Sequence, residues 1–435
     1  MPQKKIKKED LASPKGMRDI IGDEYYQFQG LFEKAQEIAV YYGFKPIETP
    51  ILEKEDLFIR GVGEHTDIIE KEMYTLKTKG GDKLVMRPEG TAGIMRAYIE
   101  HGMHTMPQPV MLYYYGPFFR HEKPQRGRLR ELRQFGLEIM GTSKSIADAI
   151  IIRTIVDILE EVGFKNLHVD INSVGDSESR PTYLKAITNY YKKHVKNLCV
   201  NCKNRLRSNP LRLLDCKEEK CARFKDGAPD SLSYLSPSGK QHFKEVLEYL
   251  DSMDIEYNID QSLVRGIEYY THTVFEISEK LEDSDGENNY PSLSVAGGGR
   301  YNNLAKMLGN KKNIPAVGAA IGIDRVIMSG NLKFPTPRIV KKPKIYFIQL
   351  GFEARLKSLS VIEILRKARI PIAQSLSKDS LAAQLAVAEK SGVSYVIIFG
   401  QKEALEKTVI VRNMKNHSQD TVKINNLAEY LKKIK

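Results

Sequence analysis

The chain is poor in cysteine. Four Cys in 435 residues are too few for a disulfide framework. A reducing, cytoplasmic setting is therefore expected. No apolar run approaches the ~18 residues that a membrane span needs, so no membrane is expected as a partner. The N-terminal MPQKKIKKED is basic, but no apolar segment follows it. That excludes a secretory signal and leaves a solvated tail. Familiar catalytic signatures are missing as well. The glycine run AGGGRYN is not followed by Gly-Lys-Ser/Thr, so it is no P-loop, and it does not fit the dinucleotide pattern. There is no H-E-x-x-H and no Ser or Cys in a nucleophile motif, which leaves no case for covalent catalysis.

Charge of one sign is in excess. The formal net charge is +12, with 28% of residues charged, which favours a polyanionic partner. The length allows two or three domains at roughly 150 residues each. Apolar spacing predicts an amphipathic helix over 24–42, stopped at Gly43, and another over 145–162. MYTLKT and LVMR form a hairpin-like pair around Gly80-Gly81-Asp82, and strands are predicted at 110–121, 132–140 and LHVDINS. LVRGIEYYTHTVFEI (263–277) reads mostly as a further strand. Residues 175–250 are polar, helix-prone and basic, and read as an insertion. Beyond the Pro-rich FPTPRIVKKPK, the last ~90 residues alternate strand and helix as a small α/β domain.

Side chains alternate across a strand, so Gln134, Gly136 and Glu138 share one face and Phe135, Leu137 and Ile139 the other. The first face offers an amide and a carboxylate around a bare glycine, which leaves room for a ligand. A sheet face with scattered polar groups is the bland alternative. In RPEGTAG, Gly90 permits close backbone approach and Glu89 can neutralise an ammonium group or cap the following helix. Arg265, Glu268, Tyr269 and Tyr270 crowd into one short stretch. The spacing Cys199-x2-Cys202-x13-Cys216-x4-Cys221 is compatible with a four-thiolate zinc site or with four reduced thiols. No metal ligand is assigned from it.

Taken together, these segments resemble the class II aminoacyl-tRNA synthetases, and among them the histidyl-tRNA synthetase family. GFKPIETPILEKEDLF, with Pro50, resembles the first class motif. FRHEKPQRGRLRELRQFGLEIMG resembles the second and AIGIDRVI the third. LVRGIEYYTHTVFE and AGGGRYNNL resemble two histidine-specific signatures. The resemblance spans about residue 14 to the C-terminus.

It implies ATP-dependent attachment of histidine to its cognate tRNA, tRNA(His), through a histidyl-adenylate, with Mg²⁺ and a homodimer. It implies that Glu89, Gly90 and Thr91 hold the histidine α-amino end and that Gln134 reaches the carboxylate. Glu138 and Tyr270 would read the imidazole, with Tyr269 lining the pocket. Arg120 and Arg265 would meet at the ATP α-phosphate beside the histidine carboxylate and carry the catalysis. Arg128 would join Arg120 on ATP, and Arg325 would clamp the γ-phosphate. The second motif departs from the family at Leu129 and Leu132, commonly aromatic, and at Arg133, commonly His.

The expected fold is an α+β catalytic domain on an antiparallel sheet over 1–330, with a helical insertion at about 175–250. A linker over 331–343 leads to a C-terminal α/β anticodon-binding domain over 344–435. A non-catalytic regulatory relative that assists ATP phosphoribosyltransferase shares the synthetase fold. Arg120, Arg265 and the 344–435 segment weigh against it. A synthetase for another amino acid is the third reading, opposed by Glu138 and Tyr270 within LVRGxxYY.

Overall fold

The computed structural model of the chain describes residues 11–125, 127–279, 294–329, 337 and 343–434. The basic N-terminal decapeptide and all of the expected linker except Pro337 and Pro343 lie outside the described residues. The chain divides into two compact units, Met1–Pro337 and Arg338–Lys435.

The first unit is built on an eight-stranded sheet. Its order is Lys45–Pro46, Val110–Phe119, Glu131–Met140, Ala316–Gly322, Ser294–Arg300, Thr271–Glu279, Leu167–Ser173 and Tyr257–Ile259. The six central strands pair antiparallel, and the two-residue and three-residue edge strands pair parallel. Period-two alternation splits the sheet into two faces. Tyr113, Phe135, Leu137, Ile139, Phe275 and Ile277 point to one side. There they meet the helices Gly22–Tyr41 and Ile146–Glu161. The first helix contributes Phe28, Leu31, Ala35 and Ala39 at helical spacing, and the second contributes Ile151, Ile155, Ile158 and Leu159. Gly43, at φ +90°, turns the chain out of the first helix. The opposite face carries Leu112, Tyr114, Phe118, Tyr269, Tyr270 and Tyr301. The rings pack as a buried cluster, and their hydroxyl tips bring polar groups into it.

Two expectations change. The 263–277 segment is strand only from Thr271 to Glu279. Before it, backbone groups are satisfied from outside the sheet. Arg180 donates to the carbonyls of Tyr270 at 2.7 Å and Glu268 at 3.4 Å, and the Glu268 N–H donates to the Val62 carbonyl at 3.1 Å. The Tyr and Val content that reads as strand propensity serves side-chain packing instead. Within 175–250, the last helix, Pro237–Ser252, buries Phe243, Val246 and Leu250 in the main core. The part with its own apolar cluster runs from Tyr183 to Cys221.

The second unit is a five-stranded sheet in the order Ile372–Gln374, Ile345–Gln349, Tyr395–Phe399, Thr408–Asn413 and Gln419–Lys423. The first three strands are parallel and the last two antiparallel. Separate apolar clusters cover its two faces, around Phe347 and Phe399 on one and Tyr346 and Val396 on the other. Burial on both faces is what parallel strands require.

Candidate active site

The Glu131–Met140 strand supplies the floor. Register places Gln134 between Gly116 and Gly322, and Glu138 between Leu112 and Gly318. A Cβ at Gly318 would overlap the Glu138 carboxylate, and one at Gly136 would overlap the Tyr114 ring. Glycine in these rows is what lets Glu138 and Tyr114 lie flat against the sheet.

Glu138 is fully buried. Its Oε1 accepts a hydrogen bond from Thr91 Oγ1 at 2.8 Å, and its Oε2 accepts one from the Tyr301 hydroxyl. Burial pushes its carboxyl up to about 8, against the pull of the Tyr301 and Thr91 hydroxyls. A carboxyl poised this way changes charge readily when a cationic or N–H-bearing ligand arrives.

Glu89 is buried at the start of the Thr91–Glu100 helix. Its Oε2 accepts from the Thr91 N–H at 2.7 Å and its Oε1 from the Ala92 N–H at 2.8 Å. The capping reading of this residue is thus what the geometry shows. The Tyr269 hydroxyl adds a third bond at 3.3 Å. Burial raises the Glu89 carboxyl, and the two backbone N–H groups oppose the rise. A carboxylate has about four acceptor sites, so one remains for a ligand.

The glycine run and the 263–270 loop form one device. A Cβ at Gly297 would come within 2.8 Å of Arg265 Nη1, and one at Gly299 within 2.9 Å of the Tyr270 ring. Arg265 and Tyr270 therefore lie directly across the glycine stretch 297–299 of the Ser294–Arg300 strand. Arg265 is ion-paired with Glu276 on the next strand. Tyr269 packs tilted against Tyr270 at 4.8 Å and edge-on to Tyr301 at 5.5 Å between ring centroids.

Arginines gather on the charged loop side. Arg120 Nε donates to the Pro88 carbonyl at 2.8 Å, and Arg120 and Arg128 both face Glu122, at 3.9 and 3.3 Å. Arg325 donates to the carbonyls of Gly127 at 3.0 Å and Ser294 at 2.8 Å. Burial, then the neighbouring charge of Arg128 and, after the opposing pull of Glu122, that of Arg120, hold the Arg325 guanidinium below its usual value. Like charges crowded this closely want an anion between them.

Residues 16–178 and 214–326 match the family model for histidyl-tRNA synthetase. This chain belongs to the histidyl-tRNA synthetase family. Residues 344–434 match a second model, the anticodon binding domain. The histidine–tRNA ligase of Desulforamulus reducens is 39% identical over 419 residues, covering 96% of this chain and 98% of that protein. That of Halothermothrix orenii is 38% identical over 425 residues, with 98% and 100% covered. The crystal structure of apo S. aureus histidyl-tRNA synthetase superposes with a TM-score of 0.79 at 30% identity, covering 97% of this chain and all of the other.

Within this histidyl-tRNA synthetase fold, Glu89, Gly90, Thr91, Glu138, Tyr269 and Tyr270 come together in one buried cluster, with Arg265 across the glycine run. Gln134 stands half-buried between its two glycines. Arg120, Arg128 and Arg325 form the second group. Tyr301 and Tyr114 are pocket residues that sequence reasoning did not single out. Tyr301 was within reach, because it stands inside AGGGRYN. Tyr114 offered no signal beyond being one of three successive tyrosines. Arg133 faces away from the pocket. Its guanidinium lies 5.5 Å over the Phe28 ring, and its N–H donates to Asp324 at 2.5 Å. That departure from the family pattern serves the helix-side packing. Leu132 packs with the pocket-side aromatic cluster.

Proposed function

We propose that the pocket binds histidine with its imidazole at Glu138 and its α-amino end at Glu89, and that the arginine group takes ATP. The chain attaches histidine to tRNA using ATP, by way of the adenylate characteristic of class II synthetases. The single observation that supports the division of roles is Glu138: an ionisable group fully buried against Gly318, held by the hydroxyls of Thr91 and Tyr301.

The histidine α-carboxylate is itself the nucleophile, so no protein base is needed. It attacks the α-phosphorus of ATP, a carboxyl O–P bond forms and the bond to pyrophosphate breaks. The protein's task is to bring two anions together and to neutralise charge on the transferring phosphorus. Arg265 on one side and Arg120 on the other are proposed to do this. Guanidinium groups stay charged and fork onto phosphate oxygens, which suits both positions. Arg325 and Arg128 hold the outgoing pyrophosphate. Mg²⁺ enters with ATP as part of that substrate. Glu138 in its ionised form accepts from an imidazole N–H, and Tyr301 and Thr91 keep it aimed. Gln134 is placed to meet the carboxylate end.

The C-terminal unit is proposed to read the tRNA anticodon, and two copies of the chain to pair through the segment around Pro50. The cytoplasm is the proposed compartment. No helix among the described residues is long and apolar enough to cross a membrane. ATP–pyrophosphate exchange with each amino acid in turn tests the core of the proposal. Histidine alone should support exchange. Exchange driven by another amino acid, or by none, would overturn the pocket reading.

A further inference from the structure

We propose that Cys199, Cys202, Cys216 and Cys221 bind one structural zinc ion, and that this ion holds the module that braces the histidine loop. The four come from three pieces of chain. Cys199 is the N-cap of the Val200–Ser208 helix, and Cys202 sits in its first turn. Cys216 follows the short turn Pro210–Leu213, and Cys221 lies in the turn Glu219–Ala222. All four are buried, and their sulfurs lie within 4.8 Å of one another. A tetrahedral Zn–S₄ centre with bonds of about 2.3 Å places its sulfurs about 3.8 Å apart, so the observed cluster needs only a small contraction.

Local hydrogen bonding suits thiolates. The Cys202 N–H donates to Cys199 Sγ at 3.3 Å, and the Cys199 N–H donates to Cys221 Sγ at 3.2 Å. Such donors stabilise sulfur carrying negative charge. An apolar shell that includes Tyr183, Tyr191, Leu198, Leu206, Leu211 and Leu213 surrounds the cluster. Four protein ligands leave no open position, so the centre is structural rather than catalytic. Binding Zn²⁺ converts the thiols to thiolates and releases their protons to solvent. A tetrahedral S₄ set also accepts iron, but the affinity order among divalent metals favours zinc.

The chain between Cys202 and Cys216 gives the ion its consequence. Arg205 and Arg212 donate to Asp67 Oδ2 at 3.0 and 2.6 Å, and Asn209 donates to Glu268 Oε1 at 3.1 Å. Glu268 immediately precedes Tyr269 and Tyr270. The segment closed by the ion therefore presents Asn209 to the loop that carries the two tyrosines, while Arg205 and Arg212 tie it to Asp67. Without the metal, this segment loses the cross-link that sets their positions.

The test uses the full chain purified without chelator or affinity histidines. Elemental analysis should give one zinc per chain. Metal-free protein given Co²⁺ should show the intense visible absorption of tetrahedral cobalt thiolate. Zinc removal should raise the KM for histidine more than that for ATP, and re-addition should restore it. A Cys202→Ser, Cys221→Ser double variant should lose the zinc. Failure of the metal-free chain to take up zinc or cobalt, iron in place of zinc, cysteines paired as disulfides, or undiminished zinc in the double variant would each overturn the proposal. These readouts of metal content and spectrum stand apart from the amino-acid assignment of the pocket.

Discussion

Glu138→Gln separates the histidine pocket from the ATP site with almost no change in shape. The substitution keeps the volume, so the close fit against Gly318 survives. What changes is acceptor capacity. In the native site one oxygen accepts from Thr91 at 2.8 Å and the other from Tyr301. Glutamine offers one oxygen and a donor NH₂, so one hydroxyl must turn around to accept. The stability loss should be about 1 kcal/mol, the net worth of one buried hydrogen bond. The ligand feels more. A hydrogen bond to a charged acceptor contributes about 1.5–3 kcal/mol, which is about 10- to 100-fold in affinity. ATP–pyrophosphate exchange should therefore show the KM for histidine rising by about that factor while the KM for ATP stays within about twofold. A histidine KM close to wild type, or equal rises for both substrates, would refute the placement of the imidazole at Glu138.

Arg265→Ala should slow histidyl-adenylate formation by about 10²–10³ in single-turnover assays while tRNA binding persists, since one preorganised charge on the transferring phosphorus is lost. Near-normal adenylate formation by folded protein would exclude that role. Stability should also carry a pH signature of Glu138. Its folded-state value is raised to about 8 from 4.5, so the folded chain holds a proton that the unfolded chain has released. The stability this group contributes should fall as pH rises through that window. Thermal melts of wild type and Glu138→Gln should therefore converge or cross toward about pH 8; parallel curves would contradict the shift. Removing residues 338–435 should leave exchange measurable, because Met1–Pro337 has its own cores, while aminoacylation falls steeply. The lost tRNA affinity should be salt-dependent. Equal loss of both reactions in a preparation shown folded by circular dichroism would make the C-terminal unit part of the active site.

The sequence by itself determined whatever depends on local period. Phe135, Leu137 and Ile139 alternate with Gln134, Gly136 and Glu138, and one face of that strand does pack the core while the other faces the pocket. The helical spacing of Ile151, Ile155, Ile158 and Leu159 likewise matched a buried helix. The alternating strands and helices after residue 344 formed their own sheet. These readings succeed because side-chain direction repeats every two or 3.6 residues regardless of what lies opposite.

Tertiary structure alone decided which groups meet. Tyr301 reaches Glu138 from 163 residues away, and no period links them. Gly318 is needed because register sets it against Glu138 and the Leu137 carbonyl, and the glycines at 297 and 299 because Arg265, Tyr270 and the carbonyls of Phe275 and Thr273 crowd them. The 263–270 segment has strand composition, yet Arg180 and Val62 take its backbone hydrogen bonds and hold it as a loop. Arg133 sits among pocket residues in sequence but faces Phe28 in space. The four cysteines read equally well as ligands or as separate thiols until the turns between them bring the sulfurs together. In each case the deciding quantity is a distance between segments remote in the chain, fixed by strand register and packing rather than by local preference.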